Sequence, residues 1–266
     1  MQVWSLSSGS SGNAYLLRDG DTHLLVDCGL ALRTLEGRLA AIGVAPAALT
    51  AVLVTHEHSD HLGGVPALVR RYGLPLYATA GTLRAAASRL PAGATTCTVT
   101  ADVPFTVDGF TVEPFAVPHD AAEPVGYRLS TSRARACILT DLGHVPEAVQ
   151  QRLRETELLV LEFNHDAAQL AQGPYHAALK RRIASPVGHL SNADAAACLM
   201  SALTRTHQAV WLAHLSEVNN SQRRAGESAH QAARAAGYPD VPIHVAARGR
   251  LSLHWNLDAP RQLRLF

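Results

Sequence analysis

The amino-acid sequence predicts an α/β protein: two mixed sheets packed face to face, flanked by helices on both outer surfaces. Two observations support this fold class. Short apolar runs of strand length alternate with longer segments whose apolar residues recur at helical spacing. The chain has 266 residues, 47% of them hydrophobic, without a linker, repeat or low-complexity tract. A chain of this size can bury a sizeable core, so we expect one domain spanning residues 1–266.

The first part of the chain is predicted to begin with a strand meander and to continue with alternating strands and helices. Turn-rich stretches separate the first three strands, and Gly43 and Gly73 follow two amphipathic segments, as capping glycines do. In order, we predict strands at 3–6, 14–17 and 23–26, a helix at 32–42, a strand at 51–54, a helix at 62–72, a strand at 74–79 and a helix at 83–90.

The rest of the chain is predicted to continue with five strands and then to alternate again. The strands are expected at 97–100, 105–107, 111–117, 125–129 and 136–139. They precede a helix at 146–154, a strand at 158–163, a helix at 193–206, a strand at 210–213, a helix at 222–236 and a terminal strand pair.

Side chains that bind metals follow four of these apolar strands. Strand 51–54 is followed by T-H-E-H-S-D-H, and burying so many imidazoles and carboxylates is costly unless something pairs with them. The strand-end residues are His56, His58, Asp60, His61, His119, Asp141 and His214. If they converge, three histidines can hold one ion, Asp60, His61 and His214 a second, and Asp141 can bridge. Such a set suits Zn²⁺, Mn²⁺ or Fe rather than Cu(I).

The stretch T-H-E-H-S-D-H-L-G-G resembles the H-x-H-x-D-H signature of the metallo-β-lactamase superfamily. His119, Asp141 and His214 also fall at strand ends in the order of that family. The resemblance implies an αβ/βα sandwich with a dinuclear site at its edge, holding two divalent ions, Zn²⁺ or Mn²⁺. It further implies that Asp27 anchors a metal ligand without binding metal itself.

Five more stretches resemble one branch of this superfamily, the YycJ/WalJ group of DNA exonucleases, which is similar to RNase Z and to PhnP-related phosphodiesterases. They are 7–13, 117–121, 162–166, 188–192 and 212–216. The bridging position is Asp141 rather than the cysteine of many true β-lactamases, which argues against antibiotic hydrolysis. The resemblance implies a dinuclear-metal-dependent phosphodiesterase. The expected activity is 5′-to-3′ exonuclease action on DNA by a metal-bridging hydroxide, with RNA as a further candidate substrate.

Charge supports phosphate chemistry independently of the resemblance. Two divalent ions, less the charges of Asp60, Asp141 and a hydroxide, leave a positive centre that suits a phosphodiester anion. Asp60 is expected to orient the nucleophile as well as to bind metal. A lactone or thioester could use the same hydroxide, however. A hydrolase of a small-molecule ester, lactone or cyclic phosphodiester is therefore the alternative, and a non-catalytic regulatory or nucleic-acid-binding protein is a third.

His189 is the most informative residue outside the ligand set. It precedes Ser191 and Asn192, either of which can cap the predicted helix. In one interpretation His189 is a solvated loop residue. In the other it grips a substrate phosphate or protonates the leaving oxygen. After strand 158–163, support of the ligands and substrate contact remain equally open for Asn164, His165 and Asp166.

Composition excludes several function classes. A net charge of +1 excludes a globally basic nucleic-acid binder but allows a local basic track, for which 180–182, 223–224 and 248–250 are candidates. The four cysteines form no C-x-x-C pair, so no thiolate zinc site is predicted. Without an N-terminal leader pattern or an apolar run of membrane-spanning length, a cytoplasmic enzyme with no membrane partner is expected. The oligomeric state is not predicted.

Overall fold

The computed structural model describes residues 1–259 and 263–264, which fall into two compact units. The first unit comprises Met1–Ala116, Ala121–Arg133 and the described part of Ala247–Phe266, and the second comprises Val117–Asp120 and Ala134–Ala246. Among the described residues, no helix has the length and apolar character needed to cross a membrane. The single-domain organisation stays a prediction.

The secondary structure alternates along much of the chain. The strands are β1 (Gln2–Ser7), β2 (Ala14–Asp19), β3 (Thr22–Val26), β4 (Ala51–Leu53), β5 (Leu76–Thr79), β6 (Thr96–Val99), β7 (Phe105–Val107), β8 (Phe110–Ala116), β9 (Val125–Ser130), β10 (Arg135–Leu139), β11 (Leu158–Glu162), β12 (Ala209–Ala213), β13 (Ile243–Val245), β14 (Leu253–Asn256) and β15 (Leu263–Arg264). The helices are α1 (Leu32–Ala41), α2 (Ser59–Leu62), α3 (Val65–Tyr72), α4 (Ala80–Ala86), α5 (Glu147–Leu153), α6 (Ala167–Gln172), α7 (Ala177–Ile183), α8 (Asn192–Ala202) and α9 (Gln222–Ala235).

The first unit is built on a sheet with the strand order β15-β14-β1-β2-β3-β4-β5-β6. Its strands are antiparallel up to β3 and parallel from β3 to β6. Buried side chains of the strands, such as Leu16 and Val52, join one apolar core with Leu35 and Leu39 of α1 and Leu68 of α3. Burial of this surface is the main force that holds these helices in place. The antiparallel strands β7, β8 and β9 also lie in this unit.

The second unit contains four parallel strands in the order β13-β12-β11-β10. All five residues of β11 and all five of β12 are buried, as expected for parallel strands covered on both faces. The carboxyl ends of parallel strands lie at the same edge of a sheet. The residues that follow β10, β11 and β12 are therefore brought close together in this unit.

One sequence-based prediction of secondary structure differs from the structure, and the difference has a physical cause. The helix predicted at 62–72 is two helices, α2 and α3, separated at Gly63 and Gly64. A Cβ on Gly64 would stand 1.8 Å from the Leu30 carbonyl oxygen, so the backbones approach too closely for a side chain. The predicted terminal strand pair is present, because the last two strands, β14 and β15, pair antiparallel, and β14 also pairs with β1.

Helices α6 and α7 were not predicted at all. Of their residues only Leu170 is buried, so neither helix carries the apolar stripe that marks an amphipathic helix in a sequence. The remaining predicted elements are present, with ends displaced by one to a few residues. The largest displacements are at the ends of α4 and α8, which each finish four residues earlier than predicted. Helix α4 also begins at Ala80 rather than at 83, because the Thr79 hydroxyl caps it by accepting from the Thr82 N–H.

We expect Gly29→Ala to destabilise the protein by at least about 2 kcal/mol, because the added Cβ is forced into the backbone. A Cβ on Gly29 would lie 1.9 Å from the carbonyl oxygen of Asp60. Gly37 in α1 is the matched control, because its Cβ would meet nothing within 4 Å. Gly37→Ala should stabilise the helix by up to about 1 kcal/mol. Urea unfolding measures the free energy of unfolding of both variants. Wild-type stability in Gly29→Ala would contradict the close approach of the Gly29 and Asp60 backbones.

Candidate metal centre

In the first unit, the carboxylate of Asp27 is fully buried at the end of β3. Its Oδ1 accepts a hydrogen bond from the Thr55 N–H at 2.8 Å, and its Oδ2 accepts from the Thr55 hydroxyl at 2.9 Å. Oδ2 also lies 2.8 Å from Nδ1 of His61. A carboxylate anion only accepts, so the proton of this imidazole is on Nδ1 and its Nε2 carries the lone pair.

Thr55 fixes the tautomer of His56 in a similar way. The hydroxyl proton of Thr55 is donated to Asp27, so its oxygen accepts from Nδ1 of His56 at 3.1 Å. Nε2 of His56 is then also the unprotonated nitrogen. The ring of His56 lies 4.1 Å from that of His61 and 4.6 Å from that of His58, between centroids. Three predicted ligands are therefore clustered within this unit.

The short helix α2 positions Asp60 and His61. His58 lies just before α2 and has an extended backbone, and Asp60 lies in the first turn of the helix. The Asp60 Oδ2 is 3.7 Å from Nε2 of His61, so a carboxylate oxygen and an imidazole lone pair lie close together. Oxygen and nitrogen donors in this arrangement are typical ligands of Zn²⁺ and Mn²⁺.

Asn13 also reaches this group, and it was not identified as a site residue from the sequence. Its Nδ2 lies 3.0 Å from Nε2 of His61, and its Oδ1 accepts from the Gly9 N–H at 2.8 Å. Asn13 ends the Ser/Gly stretch 7–13, which was predicted as a turn between the first two strands. The amide therefore occupies the nitrogen of His61 that would face an ion.

In the second unit, Glu162 at the end of β11 has the equivalent role and was also missed. Its Oε1 accepts from Nδ1 of His189 at 3.0 Å and from Nδ1 of His214 at 2.8 Å. Its Oε2 accepts from the N–H groups of Leu142 and Leu190, both at 3.2 Å. Burial alone would raise the pKa of Glu162, but the charge and hydrogen bonds of the two histidines lower it to about 2.

His189 is drawn into this cluster rather than solvated in a loop. Burial by itself would lower the pKa of His189, but the Glu162 carboxylate outweighs it and the pKa is raised. The His189 ring centroid is 5.3 Å from that of His214 and 5.2 Å from that of His119. With Nδ1 donating to Glu162, the other ring nitrogen of His189 is the one that can meet a ligand or substrate.

His119 and Asp141 complete the group in the second unit. Nδ1 of His119 donates to the Gly188 carbonyl at 3.1 Å, and burial lowers the pKa of His119, which favours the neutral form that binds metals. The Asp141 Oδ1 is 3.4 Å from Nδ1 of His214. Asp141, Glu162, His189 and His214 offer ligand atoms that all lie within 4.8 Å of one another. Because Oε1 of Glu162 already accepts two N–H groups, we assign Glu162 to orienting these imidazoles.

Three of the site residues have strained backbones. Asp27, Asp141 and His214 have φ angles of 59°, 62° and 54°, in the left-handed region that side-chain-bearing residues seldom adopt. Each comes directly or almost directly after a strand. Such conformations cost about 1–3 kcal/mol each and persist where the surrounding structure over-determines them, which is typical of functional sites.

The other predicted residues of the second unit hold its loops. Asn164 donates from Nδ2 to the His214 carbonyl at 2.9 Å. Asp166 caps α6 by accepting from the Gln169 N–H at 2.8 Å, and Ser191 caps α8 by accepting from the Asp194 N–H at 3.1 Å. The side chains of Asn192 and Asn220 are hydrogen-bonded to each other, and the His165 carbonyl accepts from the Asn192 N–H at 2.7 Å.

The residues present fit a divalent ion. In His56, His61, His119 and His214, Nδ1 donates to an oxygen that fixes the ring, so Nε2 is the nitrogen that would ligate a metal, and in His61 this is the atom that the Asn13 amide contacts. Metal-binding histidines in proteins are oriented in this way. Buried Cys28 and Cys198 have pKa values raised by burial to about 12, so their thiols stay protonated and do not act as thiolate ligands.

Comparison with known proteins agrees with this geometry. The model of the β-lactamase superfamily domain matches residues 22–210. The chain belongs to the β-lactamase superfamily. Exodeoxyribonuclease YycJ of Bacillus anthracis is 35% identical over 236 residues, covering 88% of this chain and 89% of that protein. Exodeoxyribonuclease WalJ of Streptococcus pneumoniae serotype 2 (strain D39) is 37% identical over 224 residues, covering 83% of each.

A solved structure confirms the fold of this superfamily member. The metallo-β-lactamase fold protein YhfI from Bacillus subtilis superimposes with a TM-score of 0.75, covering 96% of this chain and 99% of that protein at 18% identity. The predicted class, two mixed sheets flanked by helices, is therefore confirmed, and so is the resemblance to the YycJ/WalJ group. The protein whose structure is described here is a metal-dependent hydrolase, with His/Asp clusters suited to divalent metal ions.

We expect Glu162→Gln to weaken metal binding by about 10- to 100-fold. The NH₂ group of a glutamine can only donate, and it must face either the two histidine N–H groups or the two backbone N–H groups. The hydrogen bonds to that pair of donors are therefore lost. Titration against a chromogenic chelator measures the affinity. Glu157→Gln is the matched control, because Glu157 accepts a backbone N–H from Arg135 at 2.6 Å and is not part of the histidine cluster. Equal metal affinity in the two variants would show that Glu162 does not orient ligands.

Proposed function

We propose that this protein is a dinuclear-metal-dependent phosphodiesterase that degrades DNA as a 5′-to-3′ exonuclease. The observation that carries the proposal is the fixed orientation of His56, His61, His119 and His214, whose Nδ1 protons are all held by oxygen acceptors. The names of its YycJ and WalJ relatives support DNA as the substrate. RNA as a second substrate, a cytoplasmic location and the oligomeric state are matters for experiment.

The proposed ligand set follows the order of the superfamily. His56, His58 and His119 would hold one ion, Asp60, His61 and His214 would hold the other, and Asp141 would be the shared ligand. Asp27 and Glu162 hold the rings of His61 and His214 in the ligating tautomer. Zn²⁺ and Mn²⁺ both suit this mixture of imidazole and carboxylate donors.

When bound, two divalent ions would supply a hydroxide nucleophile near neutral pH and offset the charge gathering on the phosphoryl oxygens. The protein supplies the alignment. The Asp60 carboxylate, about one-fifth exposed, accepts a hydrogen bond from the attacking water and orients it. Loss of the 3′-oxygen from the scissile phosphate would give the released nucleotide a 3′-hydroxyl and leave a 5′-phosphate on the shortened strand, which becomes the 5′-phosphate of the next nucleotide to be released.

His189 is proposed to donate a proton to the leaving oxygen. Its Nδ1 is held by Glu162, and its side chain is 21% exposed, so Nε2 can meet substrate while the ring stays in place.

Purified protein with Mn²⁺ or Zn²⁺ should release 5′-phosphorylated nucleotides from the 5′ end of labelled single- or double-stranded DNA. Chromatography of the products identifies the terminal group, and labels at each end give the polarity. Turnover of a lactone, thioester or cyclic phosphodiester with none on DNA would favour the small-molecule hydrolase instead. No turnover of any of these by metal-loaded protein would favour a non-catalytic role.

His189→Ala should lower turnover by roughly 10²- to 10⁴-fold with little change in metal content, because it removes a proton donor but no ligand. Glu162 would keep three donors, from His214, Leu142 and Leu190, so the melting temperature should change little. His58→Ala should lose metal and activity together. The matched control is His144→Ala. The Nδ1 of His144 is hydrogen-bonded to the Pro186 carbonyl at 2.9 Å, but His144 is outside the ligand set. Wild-type activity in His189→Ala would show that His189 is not the proton donor and has only a structural role.

A further inference from the structure

Helix α7 is not held in place by the apolar core. None of its residues is buried, and its N-terminal end is capped by His176, whose Nδ1 accepts from the Leu179 N–H at 3.2 Å. Leu179 and Ile183, one turn apart, are only half-buried, and a helix of this length is marginal on its own in water. Apolar burial is therefore a weak constraint on where this helix lies.

The chain after α7 folds straight back to the candidate site. The His189 N–H donates to the Ile183 carbonyl at 2.9 Å, which joins the last turn of α7 to the proposed proton donor. A Cβ on Gly188 would stand 2.2 Å from the same carbonyl oxygen, so only glycine permits this return. The Gly188 carbonyl in turn accepts from Nδ1 of His119. The last turn of α7 is thus fixed beside His119 and His189.

Arg182 connects that last turn to His119 through a carboxylate. Its Nε donates to the Asp120 Oδ2 at 2.5 Å, and the Asp120 Oδ1 lies 3.4 Å from Nε2 of His119. The Asp120 N–H donates to the Val187 carbonyl at 3.0 Å, which anchors the carboxylate to the same loop. The arginine side chain remains 57% exposed. A guanidinium has five N–H donors, and the fork geometry matches phosphate oxygens.

The residues next to Arg182 extend the positive charge. Lys180, Arg181 and Arg182 are consecutive in the last turn of α7. Basic residues at this position also offset the negative end of the helix dipole, which is a sufficient structural reason for one of them. Helix α9 shows that simple case, with Arg234 in its last turn. Three adjacent cations on an unburied helix whose following loop reaches the site indicate an anionic partner.

We propose that the last turn of α7 binds the phosphate backbone of a nucleic-acid strand, with Arg182 contacting a phosphate next to the scissile one. Asp120 fixes the guanidinium so that it is oriented before the strand arrives. This inference rests on the proposed function and adds to it a substrate-positioning surface, the basic turn 180–182.

The test is the affinity of metal-loaded protein for a fluorescent single-stranded oligonucleotide with phosphorothioate linkages, measured by anisotropy over a range of KCl concentrations. Arg182→Ala should raise Kd by about 10-fold, in line with the loss of a charged hydrogen bond. The slope of log K against log salt should become less steep by about 0.7 for each phosphate that the variant no longer neutralises. Arg182→Lys should recover only part of the affinity. Arg234→Ala, with a last-turn arginine removed from α9, should behave as wild type.

A second measurement separates positioning from folding and from chemistry. With bis(p-nitrophenyl) phosphate, which has a single phosphate, Arg182→Ala should lose much less of its kcat/KM than with an unmodified oligonucleotide, and its melting temperature should match that of Arg234→Ala. Equal Kd and salt slope in wild type and Arg182→Ala would overturn the inference, as would a loss of melting temperature without a change in Kd. Absence of oligonucleotide binding by the wild type would instead overturn the proposed function.

Discussion

The site depends on one interaction, the hydrogen bond from an imidazole Nδ1 to a buried carboxylate at a strand end. Asp27 and Glu162 are fully buried anions, and burying an anion is costly unless several donors compensate it. Asp27 accepts from Thr55 and His61, and Glu162 accepts from His189, His214 and two backbone N–H groups. Once those bonds form, the tautomer and the ring plane of each histidine are set. In these histidines Nε2 is therefore the ring nitrogen that would ligate a metal.

The backbone around these bonds is rigid for a related reason. His214 is held in a left-handed conformation, an uncommon one for a residue other than glycine, asparagine or aspartate. Its carbonyl accepts from the Asn164 amide and its Nδ1 donates to Glu162, so the conformation is fixed from both ends. Gly188 and Gly29 add backbone approaches that no side chain would allow. Ligand positions set in this way change little when substrate binds, which favours catalysis by pre-oriented groups.

Most strands could be predicted because their apolar runs are local signals. The ligands could be predicted because histidines at the ends of buried strands are costly to bury unless they have a partner. Glu162 could not be predicted as an anchor, since a glutamate ending a strand looks like an ordinary surface residue until two histidines are seen to converge on it. The break between α2 and α3 depends on the Leu30 carbonyl, and the partners of β13 and β14 depend on strands far away in sequence. Contacts of this kind have no local pattern, so they lie beyond what a single sequence reveals.

The two unpredicted helices differ from the rest of the fold in what holds them. Helices α1 and α3 are placed by apolar side chains that join the core, so their sequences carry a periodic pattern. Helix α7 has no buried residue, and it is placed by caps, by the return of the chain through Gly188 and by the Arg182–Asp120 ion pair. An exposed ion pair contributes little to stability, so this pair alone does not account for the helix. The metal centre and the basic turn 180–182 thus depend on different interactions: hydrogen bonds among buried polar groups in the first, and in the second the positive charge of exposed side chains, which favours a phosphate backbone.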